Sequence, residues 1–185
     1  MTFEAYPAKK RKRMIGPLRG FTLVEVLMTV VIFAVLFGVC FTILLSGSDS
    51  WQVNSTQMQL QQNLRRAMNW IKEDLIEAGQ STITNVPANG SWYNTITFSV
   101  PSGVSGNAIT WASPSIQFLL GGASSNELQR TSGTTKTVAQ YIQSLQFRRQ
   151  ATSPTIVEVS LQAQKNSVKG TPVTMTKSFK VKLRN

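Results

Sequence analysis

The sequence predicts an α+β protein in which a long N-terminal helix continues into a head built mainly on an antiparallel β-sheet. Three observations lead to this prediction: an apolar run that begins at Phe21, an apolar stripe with helical spacing that ends near Gly79, and alternating apolar and polar residues in the second half. A chain of 185 residues has room for one domain of ordinary size plus an extension.

The first 20 residues are strongly basic. They hold six basic residues and one acid, and five of the basic residues form the run at positions 9–13, whereas the whole chain carries a formal net charge of +11. A basic run is compatible with nucleic-acid binding. However, Lys and Arg directly before a membrane span also hold that end of the span in the cytoplasm. We therefore interpret the run as a topogenic signal.

The apolar run predicts a membrane-spanning helix over residues 21–45. Residues 26–45 contain no charge, and 20 residues of helix extend about 30 Å, the thickness of the hydrocarbon core of a bilayer. A secretory signal peptide would have a shorter apolar stretch followed by small residues at its cleavage site. Because the apolar run is longer than that and no Ala-x-Ala pattern follows it, we expect the span to be retained.

Glu25 is the only acid near the start of this span. An intramembrane carboxylate costs several kcal/mol unless it is paired or lies at the interface. Its position alone favours a residue at headgroup depth that benefits from the dipole of the helix N-terminus. The alternative is a paired carboxylate with a role in assembly.

Residues 46–79 are predicted to form the amphipathic second half of the helix. Their apolar residues recur at steps of three and four, which places them on one stripe: Leu60, Leu64, Ala67, Met68, Ile71, Leu75 and Ala78. Gly79 is expected to end the helix as a C-terminal stop. We expect the stripe to pack on a sheet; a coiled-coil dimer is the competing interpretation.

Residues 80–185 are predicted to form a head of short strands. Strand-like alternation occurs at residues 95–100, 115–120, 144–148, 155–161 and 177–184, and residues 138–144 fit either a strand or a turn of helix. Turn residues occur at 101–103, 121–122, 132–133 and 153–154. In the last strand, apolar residues alternate with Lys180, Lys182 and Arg184, which predicts a basic outer face at a sheet edge.

The head offers little for catalysis or metal binding. The chain lacks histidine and has one cysteine, and only Glu127 and Glu158 are acidic after residue 79. We therefore predict neither an enzyme nor a metal site nor a cofactor. The head carries ten basic residues, which form either a solvated surface or a contact for an anionic partner such as DNA or an acidic neighbouring subunit.

Residues 19–27, RGFTLVEVL, resemble the prepilin signature of type IV pilins and type II secretion pseudopilins. The resemblance implies that residues 1–20 are a leader, which a prepilin peptidase removes between Gly20 and Phe21 before it methylates the new amine of Phe21. It also implies that Glu25 is the filament assembly residue, able to pair with the amine of a neighbouring subunit. A 20-residue leader is long for this family, and Met14 is an alternative start.

Residues 63–79 look like the helix end of the J-type minor pseudopilins and W-type minor pilins, and residues 126–130, 137–139 and 145–147 follow in a similar order. This implies a pilin-like minor subunit that initiates or caps a type IV pilus or a type II secretion pseudopilus, with other pilins as partners. It implies an inner-membrane protein with a cytoplasmic N-terminus and a periplasmic head. The alternative function is a membrane-anchored periplasmic binding module that contacts DNA. The machine served (pilus, secretion or DNA uptake) stays open.

Overall fold

The computed structural model of the protein describes residues 20–184, in which one long helix precedes a series of antiparallel strands. This confirms the predicted α+β fold. The basic run at 9–13, the alternative start Met14 and the rest of the predicted leader before Gly20 lie outside the described residues.

Helix α1, Leu23–Glu77, contributes to two structural units that meet between Gly47 and Ser48. In the first unit, the apolar side chains of α1 are exposed rather than packed in a core. By length and composition, α1 is apolar enough to cross a membrane. Exposed apolar side chains along a helix of this kind require lipid or other helices as their surroundings.

The second unit contains all of the strands and a short 3-10 helix, Gln80–Thr82. The strands are β1 Trp92–Tyr93, β2 Ile96–Phe98, β3 Pro101–Ser105, β4 Ala108–Trp111, β5 Ile116–Gly121, β6 Glu127–Ser132, β7 Thr134–Gln140, β8 Ile142–Gln150, β9 Ser153–Asn166 and β10 Pro172–Lys182. They form two four-stranded sheets, ordered β1-β8-β9-β10 and β2-β5-β6-β7, and the separate hairpin β3-β4. Every pairing is antiparallel.

The core of the second unit lies between α1 and the sheets. The stripe predicted on the helix is buried, except that Met68 is partly exposed. Phe98 and Phe118 stack in this core, with ring centroids 6.3 Å apart. The helix therefore packs on the sheets within its own chain, as the stripe predicted.

The strand predictions were correct where apolar and polar residues alternate. Residues 138–144 are not helix: 138–140 end β7, Tyr141 lies between the two strands, and 142–144 begin β8. The turns predicted at 101–103 and 153–154 were wrong. Residues 101–103 lie in β3, where Pro101 pairs with Trp111, and residues 153–154 begin β9. A proline is tolerated there because Pro101 is the first residue of its strand.

Candidate functional site

The predicted cleavage junction is an exposed segment before the helix. Gly20, Phe21 and Thr22 have no regular secondary structure, and α1 begins at Leu23. The side chain of Phe21 is 81% exposed, and within residues 20–184 no atom beyond the chain neighbours lies within 4 Å of the position that a Cβ on Gly20 would occupy. The peptide bond between Gly20 and Phe21 is therefore accessible to a peptidase in this conformation.

Glu25 and Thr22 form a capping box at the start of α1. The Glu25 amide donates to Thr22 Oγ1 at 3.3 Å, and the Thr22 amide makes a long hydrogen bond of 3.5 Å to Glu25 Oε2. The Val26 amide donates to the Thr22 carbonyl at 3.2 Å, which makes Thr22 the N-cap residue. The pattern Thr-x-x-Glu was visible in the sequence, but the sequence interpretation did not include this local role of Glu25.

The three predicted surface cations are all exposed. Lys180, Lys182 and Arg184 point away from the core, whereas Val181 and Leu183 between them are buried. The basic outer face of β10 is therefore present. Lys180, however, is not a free cation, because its Nζ lies 2.8 Å from Glu158 Oε1.

Lys180 belongs to a cross-strand row that runs over one whole sheet. Its members lie opposite one another in register on β1, β8, β9 and β10: Trp92, Arg148, Glu158 and Lys180. Arg148 Nε donates to Glu158 Oε2 at 2.7 Å, and the guanidinium lies 4.5 Å from the centroid of the Trp92 ring. Hydrogen bonds from Lys180 and then Arg148 hold the pKa of Glu158 below its ordinary value, although burial opposes this shift.

A second polar cluster joins α1 to the other sheet, and we call it the helix clamp: Trp70, Asp74, Arg130 and Lys136. Arg130 Nε donates to Asp74 Oδ2 at 2.6 Å and its Nη2 to Oδ1 at 3.4 Å. The Lys136 ammonium lies 4.7 Å from the centroid of the Trp70 ring. The sequence does not reveal this cluster, because Asp74 and Arg130 are separated by 56 residues and their contact depends on how α1 packs on the sheet.

Gly79 lies two residues after the end of the helix, and its close approach to another residue explains why it is a glycine. The helix ends at Glu77, and Gly79 has φ −78° and ψ 130°, which is extended rather than left-handed. A Cβ on Gly79 would overlap the ring of Trp111. Glycine is therefore needed for the close approach of Trp111 on β4 rather than for a left-handed turn at the helix end.

Arg149 is a buried cation held by backbone carbonyls. Its Nε donates to the carbonyl oxygen of Pro154 at 3.0 Å and its Nη1 to that of Val86 at 3.3 Å. Burial lowers the pKa of this guanidinium from its ordinary value. These bonds tie the end of β8 to the start of β9 and to the segment before β1, so Arg149 has a structural role.

The two acids of the head lie apart and are both engaged. Glu127 Oε2 accepts a hydrogen bond from the Thr137 hydroxyl at 2.9 Å, and Glu158 lies in the cross-strand row. Within residues 20–184 there is no group of three His, Cys, Asp or Glu side chains that could hold a metal ion.

One comparison with known proteins concerns the junction. Residues 19–46 match the family model of the prokaryotic N-terminal methylation motif. No curated protein and no solved structure matches the chain. The chain thus carries a type IV pilin-like methylation motif at the point where Gly20 and Phe21 precede the apolar helix, and motif and helix together indicate a single-pass membrane anchor.

Proposed function

We propose that this protein is the precursor of a minor pilin or pseudopilin, a structural subunit that initiates or caps a type IV pilus or a type II secretion pseudopilus. The observation that carries the proposal is the exposed Gly20–Phe21 junction, directly before a capped apolar helix and inside a methylation motif. The large apolar side chains of residues 23–45 are exposed in the described part of the first unit, which suits a helix that moves from lipid into a bundle of like helices.

In this account a prepilin peptidase cuts after Gly20 and methylates the amine of Phe21. The new amine is a cation at the end of an apolar helix, and it needs a counter-charge when it enters a filament core. Glu25 of a neighbouring subunit supplies that charge. Because a buried pair of this kind tolerates little displacement, it sets the axial register of the subunits more than it adds stability.

The proposal that the subunit is a minor one rests on the second half of the helix. The resemblance to J-type minor pseudopilins and W-type minor pilins covers residues 63–79, which include two members of the helix clamp, Trp70 and Asp74. We expect few copies of the subunit per filament and a role at the start or tip of assembly. Quantitative immunoblotting of sheared filaments tests this, and a copy number equal to that of the shaft subunit would contradict it.

The role of Glu25 is tested by three matched variants. Glu25→Gln keeps a capping box, because glutamine can also accept from the N-cap amide, but it removes the charge. Glu25→Ala removes both, and Thr22→Ala weakens the cap by about 1 kcal/mol while it keeps the carboxylate. We expect Glu25→Gln and Glu25→Ala to abolish filament incorporation and Thr22→Ala to retain it. Normal incorporation of Glu25→Gln would reduce Glu25 to a capping residue.

A further inference from the structure

The last strand of the chain leaves one sheet edge open. β10, Pro172–Lys182, is the terminal strand of the sheet ordered β1-β8-β9-β10, and it pairs with β9 over its full length without a register shift. No other described strand pairs with its second side. An open edge strand of 11 residues is a template for pairing with another chain.

The hydrogen bonds at both ends of the β9–β10 hairpin identify which backbone groups face outward. The Leu183 amide donates to the Thr155 carbonyl at 2.9 Å, and the Ser167 amide donates to the Thr171 carbonyl at 2.8 Å. In an antiparallel pair, residues that exchange hydrogen bonds alternate with residues that do not. The odd-numbered residues of β10 therefore bond to β9, and the even-numbered ones turn their amides and carbonyls to the open edge: Thr174, Thr176, Ser178, Lys180 and Lys182.

The positive charge of this edge favours an acidic partner strand. Residues 167–184 contain five basic residues and no acid. Lys182 is exposed on the outer face beside Lys180, and the ion pair of Lys180 with Glu158 leaves Lys182 without an acidic partner among the described residues. An acidic strand paired to this edge would meet opposite charges, whereas the edge of a second copy would meet like charges.

A groove on the other face of β10 adds an apolar contact. It has a volume of about 430 Å³ and lies between α1 and β10, lined by Leu64, Met68 and Met175 together with Arg65 and Lys177. Leu64 is buried and Met68 and Met175 are half-buried, whereas Arg65 and Lys177 are exposed; Gln61 and Thr176 complete the lining. A strand paired to β10 would direct every second side chain to this side of the sheet.

We propose that the open edge of β10 binds an extended acidic segment of a partner protein by β-strand addition. The segment carries acidic residues on the face of Lys180 and Lys182, and an apolar residue on the face of Met68 and Met175. Its backbone completes the hydrogen bonds of Thr174, Thr176 and Ser178. This goes beyond the proposed function, because the edge binds such a strand whether or not the N-terminus is cut.

The test uses the full chain in detergent micelles and a fluorescent synthetic peptide of about nine residues, which alternates Glu and Val. We expect saturable binding by fluorescence anisotropy. In hydrogen exchange measured by NMR, the peptide should protect the amides of Thr174, Thr176 and Ser178. Amides of odd-numbered β10 residues, already bonded to β9, should change little.

Two peptide controls separate strand addition from attraction of charge alone. A peptide that alternates Lys and Val should not bind. A Glu-Val peptide with methyl groups on alternate backbone nitrogens keeps its charge but loses donors for pairing, and it should bind at least about tenfold more weakly. Equal binding of the methylated peptide would overturn the proposal, as would binding of duplex DNA but not of the peptide.

Two substitutions in β10 separate the roles of backbone pairing and of charge in peptide binding. Thr176→Pro removes an outward amide without breaking a bond to β9, so we expect an intact fold and loss of peptide binding. Lys182→Glu should weaken binding and make the remaining binding less sensitive to salt, whereas Arg66→Glu, at an exposed position of α1 outside β10, serves as the control for the change of charge. Binding that is unchanged in both Thr176→Pro and Lys182→Glu, or self-association through β10 in place of peptide binding, would overturn the proposal.

Discussion

Arg148 and Glu158 lie directly opposite each other on neighbouring strands, and Arg148 Nε donates to Glu158 Oε2 at 2.7 Å. Lys180 approaches the same carboxylate from the strand on the other side, at 2.8 Å. Glu158 is 8% exposed, so this carboxylate is largely removed from water and depends on its two cations. Cross-strand pairing on a single sheet thus ties β8, β9 and β10 together.

The stability of the head should depend on pH through Glu158. Its folded pKa is lowered, so its contribution is fully present above the ordinary pKa of a glutamate and is lost as pH falls through the lowered value. We expect Glu158→Gln to reduce the free energy of unfolding by about 1–2 kcal/mol at neutral pH, with a difference that shrinks in acid. Denaturant unfolding followed by tryptophan fluorescence measures this, because the four tryptophans all follow Ser48.

Glu127→Gln is the matched control for this experiment. Glu127 accepts a hydrogen bond from the neutral hydroxyl of Thr137 and has no cationic partner among the described residues. Its substitution should leave the pH profile close to that of the wild type. A difference between Glu158→Gln and wild type that stays constant down to strongly acidic pH would contradict the assigned role of Glu158.

Gly79→Ala should destabilise the head through a steric conflict. The added methyl group would overlap the Trp111 ring, and overpacking of this kind costs about 1–3 kcal/mol. The backbone itself tolerates alanine, since φ is −78°. We expect Trp111→Leu to recover most of the loss in the double variant. Additive effects of the two substitutions in denaturant unfolding would show that the two residues do not conflict.

The helix clamp should hold α1 on the sheet that contains β6. Asp74→Ala leaves the Arg130 guanidinium, whose side chain is 23% exposed, without its carboxylate, and we expect a loss of about 1–2 kcal/mol. Glu73→Ala, on the exposed side of the same turn, should change stability by less than about 0.5 kcal/mol. Equal effects of the two variants in thermal unfolding would show that the helix clamp adds no specific stability.

The sequence predicted the helix and its stripe, because apolar residues at steps of three and four lie on one side of a helix and that side is buried. β6 and β7 were not predicted, because their residues are mostly Ser, Thr and Gln, and apolar alternation is weak there. The position of Gly79 was predicted correctly, but its partner Trp111 lies on a distant hairpin that local patterns do not reveal.

For the candidate site, the sequence identified residues but not their partners. Gly20, Phe21 and Glu25 follow from a local motif, so their spacing could be read directly. The pairing of Lys180 with Glu158 depends on the register of β9 and β10, which single-sequence patterns do not determine. The sequence therefore did not show that one of the three cations of the basic face is paired with an acid.

The central claim is that the chain is cut between Gly20 and Phe21 and then assembled. Mass spectrometry of the N-terminal peptide, taken from the native membrane and filament fractions, tests it most directly. The account predicts a peptide that begins at methylated Phe21, and a Gly20→Glu variant that keeps its leader and stays in the membrane. An intact, unmethylated N-terminus in a functional wild-type protein would contradict it and favour a membrane-anchored binding module.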